Sequence, residues 1–192
     1  MSFIRFKPLT PEEYPPFKGV LERFGFIPNA LQAQTVRKDL LEGQMPLTRA
    51  AMTVEGALER RQKEYIFLAV SARNLSTYCV TAHCEIVRML KLEGPEPEQI
   101  AIDHTLTKIP LRDKALINFA IKLSEAPTEI GEADIATLRT FGFSDRHILE
   151  AIVMTAFARQ ANLVAFGLGT VPDFHNERII DTLERPAAPQ PR

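Results

Sequence analysis

Cysteine is scarce in this chain: there are two in 192 residues, Cys79 and Cys84, five apart in one stretch. A disulfide framework spreads its cysteines along the chain, so this usage excludes one and points to a reducing compartment. An excess of charge of one sign is missing too. Lys and Arg number 23 against 24 Asp and Glu, a net charge of −1, so nothing electrostatic calls for a nucleic-acid partner, an anionic membrane or a polyanionic substrate. Nowhere do about 18 uncharged apolar residues follow one another, and residues 1–15 hold no apolar run of signal-peptide length. A soluble, cytoplasmic protein is expected.

Strand-like alternation of useful length is absent, and so are tandem repeats. Gly167, Leu168, Gly169 and Thr170 lack the rest of a dinucleotide fingerprint, and no phosphate-binding glycine loop occurs, so nucleotide chemistry and a bound cofactor are not expected. His83 and Cys84 have no second cluster of Cys and His beside them. Zinc sites want three or four ligands, which excludes a metal on this count.

What is present is helical, and an all-α fold is expected. Prolines 8, 11, 15, 16, 28 and 46 break residues 1–46 into short helices and extended links, an arm whose Phe17, Phe24, Phe26, Ile27 and Leu31 can cover a subunit interface or pack within the chain. Residues 47–175 form the helical domain. Apolar residues from about Leu47, among them Val54, Ala57, Leu58, Tyr65 and Leu68, predict a long helix or helix pair, interrupted at Asn74, Leu75 and Ser76. Asn74 is suited to the left-handed conformation that ends a helix, and Ser76 to capping the next, which runs to about Leu92. Further helices are expected over 100–106, 112–123, 133–141 and from Ser144 to about Phe166. Residues 176–192 read as a C-terminal tail, with a proline-rich end too poor in apolar residues to fold.

Cys79 and His83 carry the chemistry. Residues four apart on a helix differ by about 40° in direction, so the pair shares a face and can couple directly or through water. A helix starting near Ser76 also places Cys79 in its first turn, where unsatisfied amides lower a thiol pKa. A thiolate attacks a peroxide oxygen and becomes a sulfenic acid that a second thiol must reduce. Cys84 is poorly placed for that. Five residues apart on a helix means about 8.5 Å between Cα atoms, beyond the roughly 7 Å limit for a disulfide.

Residues 64–83 resemble the signature of the alkylhydroperoxidase AhpD-like and carboxymuconolactone decarboxylase superfamily: Glu, eleven residues, Cys, two residues, Cys, three residues, His. Glu64, Ser76, Cys79 and His83 stand at those positions, so three of the four functional types match. Residues 25–30, 110–120, 134–150 and 161–169 resemble its peroxidase-related branch. The resemblance implies an AhpD-like helical bundle and a homo-oligomer, a trimer or hexamer. It gives Cys79 the place of the peroxide-attacking thiol, His83 that of the proton-relay histidine and Glu64 that of the relay carboxylate. Tyr78 stands where family members carry His or Tyr.

Ser76 replaces the family's other cysteine and removes the internal disulfide. Three outcomes stay open: reduction of Cys79 by an external thiol, recruitment of Cys84 by local unwinding, or loss of the redox cycle. The expected function is accordingly a thiol-dependent peroxidase-like oxidoreductase taking a hydroperoxide and an external thiol reductant. The alternatives are a non-catalytic helical oligomer or small-ligand binder, and a decarboxylase-like lyase.

Overall fold

The computed structural model describes residues 2–184. Ten α-helices follow one another: α1 (Phe17–Phe24), α2 (Asn29–Gln34), α3 (Lys38–Thr48), α4 (Arg60–Arg73), α5 (Thr77–Met89), α6 (Pro97–Asp103), α7 (Leu111–Glu125), α8 (Glu132–Thr140), α9 (Asp145–Leu168) and α10 (Glu177–Leu183). No strand occurs among the described residues, and the all-α expectation holds.

Helix α4 is the axis of the bundle, packed on by α5, α6, α7 and α9. Every residue from Gln62 to Ala72 is buried, so the polar side chains among them need internal partners. Lys63 donates to the Val54 carbonyl at 2.9 Å, and Gln62 donates to Asp113 at 2.7 Å. On one side of α4 a core of Phe67, Val70, Leu116, Met154 and Ala158 forms; on the other a second core joins Leu68, Val80, Ile100 and Ile179. The proline-rich arm folds on itself, Tyr14, Phe17, Val20 and Leu41 making a third, smaller cluster with Phe24, Ile27 and Leu31 against it. Phe17, Phe24, Ile27 and Leu31 thus pack within the chain, while Val36 and Leu40 stay exposed.

Several boundaries differ from the sequence reading. No long helix starts at Leu47: α3 ends at Thr48 with Pro46 inside it, one π-helical turn follows (Arg49–Thr53), and residues 54–59 form a loop. Tertiary contacts capture that loop. The Glu150 carboxylate accepts from the Ala57 and Leu58 amides at 2.8 and 2.9 Å, and it lies so close to Gly56 that a Cβ there would meet it at 2.5 Å. Helix α6 starts at Pro97, whose fixed φ and absent N–H suit a first helical position, and it ends at Asp103. Leu75, with φ of 59°, takes the left-handed conformation between α4 and α5 that the sequence reading assigns to Asn74. Part of the segment read as tail is structured: Asn176 accepts from the Ile179 amide at 3.1 Å, capping α10, and Ile179 is fully buried. The proline-rich residues 185–192 lie outside the described residues.

Candidate active site

The three-residue connection between α4 and α5 folds the two helices side by side, which brings Glu64 against His83 across 19 positions of sequence. Glu64 is 0% exposed. A bare carboxylate so placed would be strongly disfavoured, and a guanidinium and an imidazole compensate it. Arg60, one turn earlier on α4, donates to Oε1 from Nε and Nη2 at 2.8 and 2.6 Å, and Oε2 lies 2.6 Å from His83 Nδ1. Burial alone would push the Glu64 carboxyl up, but His83 and Arg60 outweigh it and the net direction is down. The ionised carboxylate only accepts hydrogen bonds, so Nδ1 carries the hydrogen and Nε2 is the nitrogen left to exchange a proton. Stacking on Phe67, with ring centroids 3.6 Å apart, fixes the plane of the imidazole.

Cys79 is the third residue of α5 and is buried. Ser76, at the N-cap position, makes no capping bond. Its side chain instead lies with that of Asn162 at the Cys79 sulfur, where both favour the thiolate. Asn162 is held from two sides, accepting from Asn74 Nδ2 at 2.8 Å and donating to Ser71 Oγ at 2.9 Å. Burial nevertheless dominates and pushes the Cys79 thiol up, against the sequence expectation of a lowered pKa at a helix N-terminus. The physical reason is loss of water, which two neutral donors and the helix end do not offset.

A cavity of about 570 Å³ opens between the arm and the α5–α9 face. Cys79, His83, Tyr78 and Arg60 line it, while Glu64 and Ser76 sit behind its wall. Tyr78 belongs to the scaffold around the cavity: its hydroxyl donates to Asp173 Oδ2 at 2.7 Å and accepts from the Ala30 amide at 3.2 Å. Asp173 also accepts from the Asn29 amide at 3.0 Å, so three chain segments meet at this phenol.

Cys84 points away from all of this. It is fully buried in the second core, beside Leu68, Val87 and Ile100, and burial together with the nearby Glu98 carboxylate pushes its thiol up strongly. Among the described residues, no group of His, Cys, Asp and Glu could hold a metal ion.

Sequence reading missed Arg60, Asn162 and Asp173. The first two leave a trace: Arg60 lies four residues before Glu64, the spacing of a helical ion pair, and Asn162 is the polar residue that directly precedes the uncharged apolar run 163–168. Asp173 leaves none, because its link to Tyr78 spans 95 positions.

The fold and this site define a cysteine-bearing helical bundle of the AhpD kind. An uncharacterized peroxidase-related protein from Ralstonia eutropha JMP134 with an alkylhydroperoxidase AhpD core is 29% identical with a TM-score of 0.83, covering 93% of this chain and 95% of that one. A second uncharacterized peroxidase-related protein, from Silicibacter sp. TM1040, is 30% identical with a TM-score of 0.80, covering 87% of each. The debrominase Bmp8, in complex with 2,3,4-tribromopyrrole, is 17% identical with a TM-score of 0.75 over 96% of this chain and 98% of that one; it shares the fold. No protein-family model matches the chain, and no curated protein does. The chain belongs to the alkylhydroperoxidase AhpD-like superfamily.

Proposed function

We propose that the chain is a thiol-dependent peroxidase-like oxidoreductase with Cys79 as its peroxide-attacking thiol. The observation that carries this reading is the fully buried Glu64 carboxylate, bridging Arg60 and His83 behind a cavity wall that also presents Cys79. A buried charge of this kind is costly unless it orders a partner, and here it orders an imidazole with one nitrogen free.

His83 Nε2 takes the thiol proton, directly or through a water, as the hydroperoxide enters. The thiolate attacks the outer peroxide oxygen, the O–O bond breaks, and the alkoxide leaves with the proton returned by His83. Cys79 is then a sulfenic acid. One external thiol condenses with it, releasing water and forming a mixed disulfide; a second releases Cys79 as thiol and departs as its own disulfide. Ser76 contributes a hydrogen-bond donor to the sulfur but no second thiol, and the distance along α5 keeps Cys84 out. The external reductant suits a reducing, cytoplasmic setting.

A row of exposed apolar residues along α9, Leu149, Ile152, Leu163 and Phe166, supports a homo-oligomer, since large apolar patches left to water mark association surfaces. This 24-residue helix is also long and apolar enough to cross a membrane by length and composition.

A second reading, a small-ligand binder with a degenerate redox site, is favoured by one observation, the upward shift of the Cys79 thiol. Mass spectrometry after limiting peroxide, with and without added thiol, separates the two. Sulfenylation or a mixed disulfide at Cys79 is expected; an unmodified Cys79 assigns the chain to the second reading.

A further inference from the structure

The cavity in front of Cys79 is far larger than hydrogen peroxide requires. Its 570 Å³ compares with the roughly 30 Å³ a water molecule occupies in the liquid, and falls within the roughly 300–1,000 Å³ typical of pockets that enclose organic ligands. Most of its wall is apolar, with Val20, Leu31, Met45, Phe67, Phe157 and Val164 among the contributors. The charges on the wall are one-sided. Arg23, Arg49 and Arg60 line the cavity together with His83, and no Asp or Glu does, although the chain as a whole is almost neutral.

Arg60 is committed to Glu64. Arg23 and Arg49 have no carboxylate within ion-pair distance among the described residues. Arg23 lies over the ring of its neighbour Phe24, 5.6 Å from the centroid. Both arginines are exposed, Arg23 on α1 and Arg49 on the turn after α3. Arg23 belongs to the arm and Arg49 to the turn just after it, whereas Cys79 is carried by α5. Two guanidinium groups, each able to hold a carboxylate through paired N–H donors, therefore sit on the rim of an otherwise apolar chamber.

We propose that the cavity takes an amphipathic organic acid, with its carboxylate at Arg23 and Arg49 and its apolar body reaching toward Cys79, so that the substrate is an apolar hydroperoxide bearing a carboxylate. That the acid is turned over rests on the peroxidase reading above; that it binds does not. The chemistry is unchanged: the carboxylate anchors, and the hydroperoxide on the apolar body is cleaved at Cys79 as already described.

Two measurements keep the two claims apart. Binding is measured on the Cys79→Ser protein by titration calorimetry with decanoate and with decanol, which share a chain and differ in charge. Decanoate is expected to bind at least about tenfold more tightly, and Arg23→Gln combined with Arg49→Gln is expected to remove that preference while leaving decanol binding unaltered. Turnover is measured on the unaltered chain with linoleic acid hydroperoxide, its methyl ester and hydrogen peroxide. The acid is expected to exceed the ester about tenfold in kcat/KM, mainly through KM, as an anchoring contact distant from the reacting oxygen requires. Equal binding of decanoate and decanol overturns the ligand assignment, as does equal turnover of acid and ester. Preferential binding of decanoate without consumption of any hydroperoxide retains the assignment and overturns the peroxidase reading instead.

Discussion

The two cysteines of α5 are both buried, five residues apart, and both thiols are pushed up by loss of water. Their surroundings are otherwise opposite. Cys79 faces a cavity and has two neutral donors at its sulfur, with His83 on the same wall and the Glu64 carboxylate behind it. Cys84 faces a closed core and a carboxylate, which disfavours its thiolate further. Burial by itself therefore does not distinguish the two thiols; access, a nearby proton acceptor and donors to the sulfur do. Helix geometry enforces the separation, because a five-residue step turns a side chain to nearly the opposite face.

The largest effect expected from this contrast is on turnover. Cys79→Ser should reduce thiol-dependent peroxide consumption to the uncatalysed background, since a hydroxyl is not a nucleophile of comparable strength here. Retention of parental activity in a continuous peroxide assay would remove Cys79 from the chemistry altogether.

Glu64→Gln should follow, lowering kcat/KM about 100-fold by leaving His83 without its orienting charge. It should also destabilise the fold by about 3 kcal/mol, because Arg60 loses a fully buried partner. The pH dependence has a definite sign. Glu64 titrates below its usual 4.5 in the folded chain, so its contribution to stability is present above about that pH and fades as pH falls through the lower folded value. Chemical denaturation as a function of pH should show a shallower acid limb in Glu64→Gln than in the parent. An unaltered acid limb would mean that the carboxylate is not the stabilising partner of Arg60 and His83.

Ser76→Cys sharpens the contrast in another way. Residues three apart at a helix start lie about 5 Å apart between Cα atoms, inside the range a disulfide spans. Limiting peroxide should then yield an internal bridge between the introduced thiol and Cys79, detected as loss of two hydrogens in intact mass, in place of the mixed disulfide with external thiol. Persistence of the mixed disulfide alone would show that the N-cap geometry holds the two sulfurs apart.

Much of this site was legible in the sequence because it is local. Spacing alone puts Cys79 and His83 on one face, and the match of Glu64, Cys79 and His83 to the family pattern supplies the carboxylate. Helix ends marked by turn chemistry, such as Ser144 before α9 and Gly142 after α8, are local too. The differences arise where distant contacts decide. The loop over 54–59 exists because Glu150 captures its amides, and the turn before α5 puts its left-handed residue at Leu75 because Asn74 donates to Asn162. The direction of the Cys79 shift depends on how much protein surrounds the sulfur, which spacing along one helix does not encode. The buried α4 shows the same limit: enclosed on all sides, it has no polar face for periodicity to reveal.

The smallest effect falls on Cys84. Its side chain is fully enclosed in the second core and its distance along α5 forbids a bridge to Cys79 without unwinding, so Cys84→Ala should leave kcat/KM within about twofold of the parent. Removing one sulfur from a tight core leaves a small void and costs about 1 kcal/mol, which for a chain of this size lowers Tm by about 2–4 °C. The carboxylate of Glu98 loses a neighbour but keeps Arg88 and Asn176, which donate to its Oε1 at 2.5 and 2.6 Å, so no buried charge is orphaned. The experiment also bears on the resolving thiol. If Cys84→Ala folds normally yet accumulates Cys79 sulfenic acid under conditions where the parent does not, α5 must unwind during turnover, and the opposition between its two faces is a property of the resting state alone.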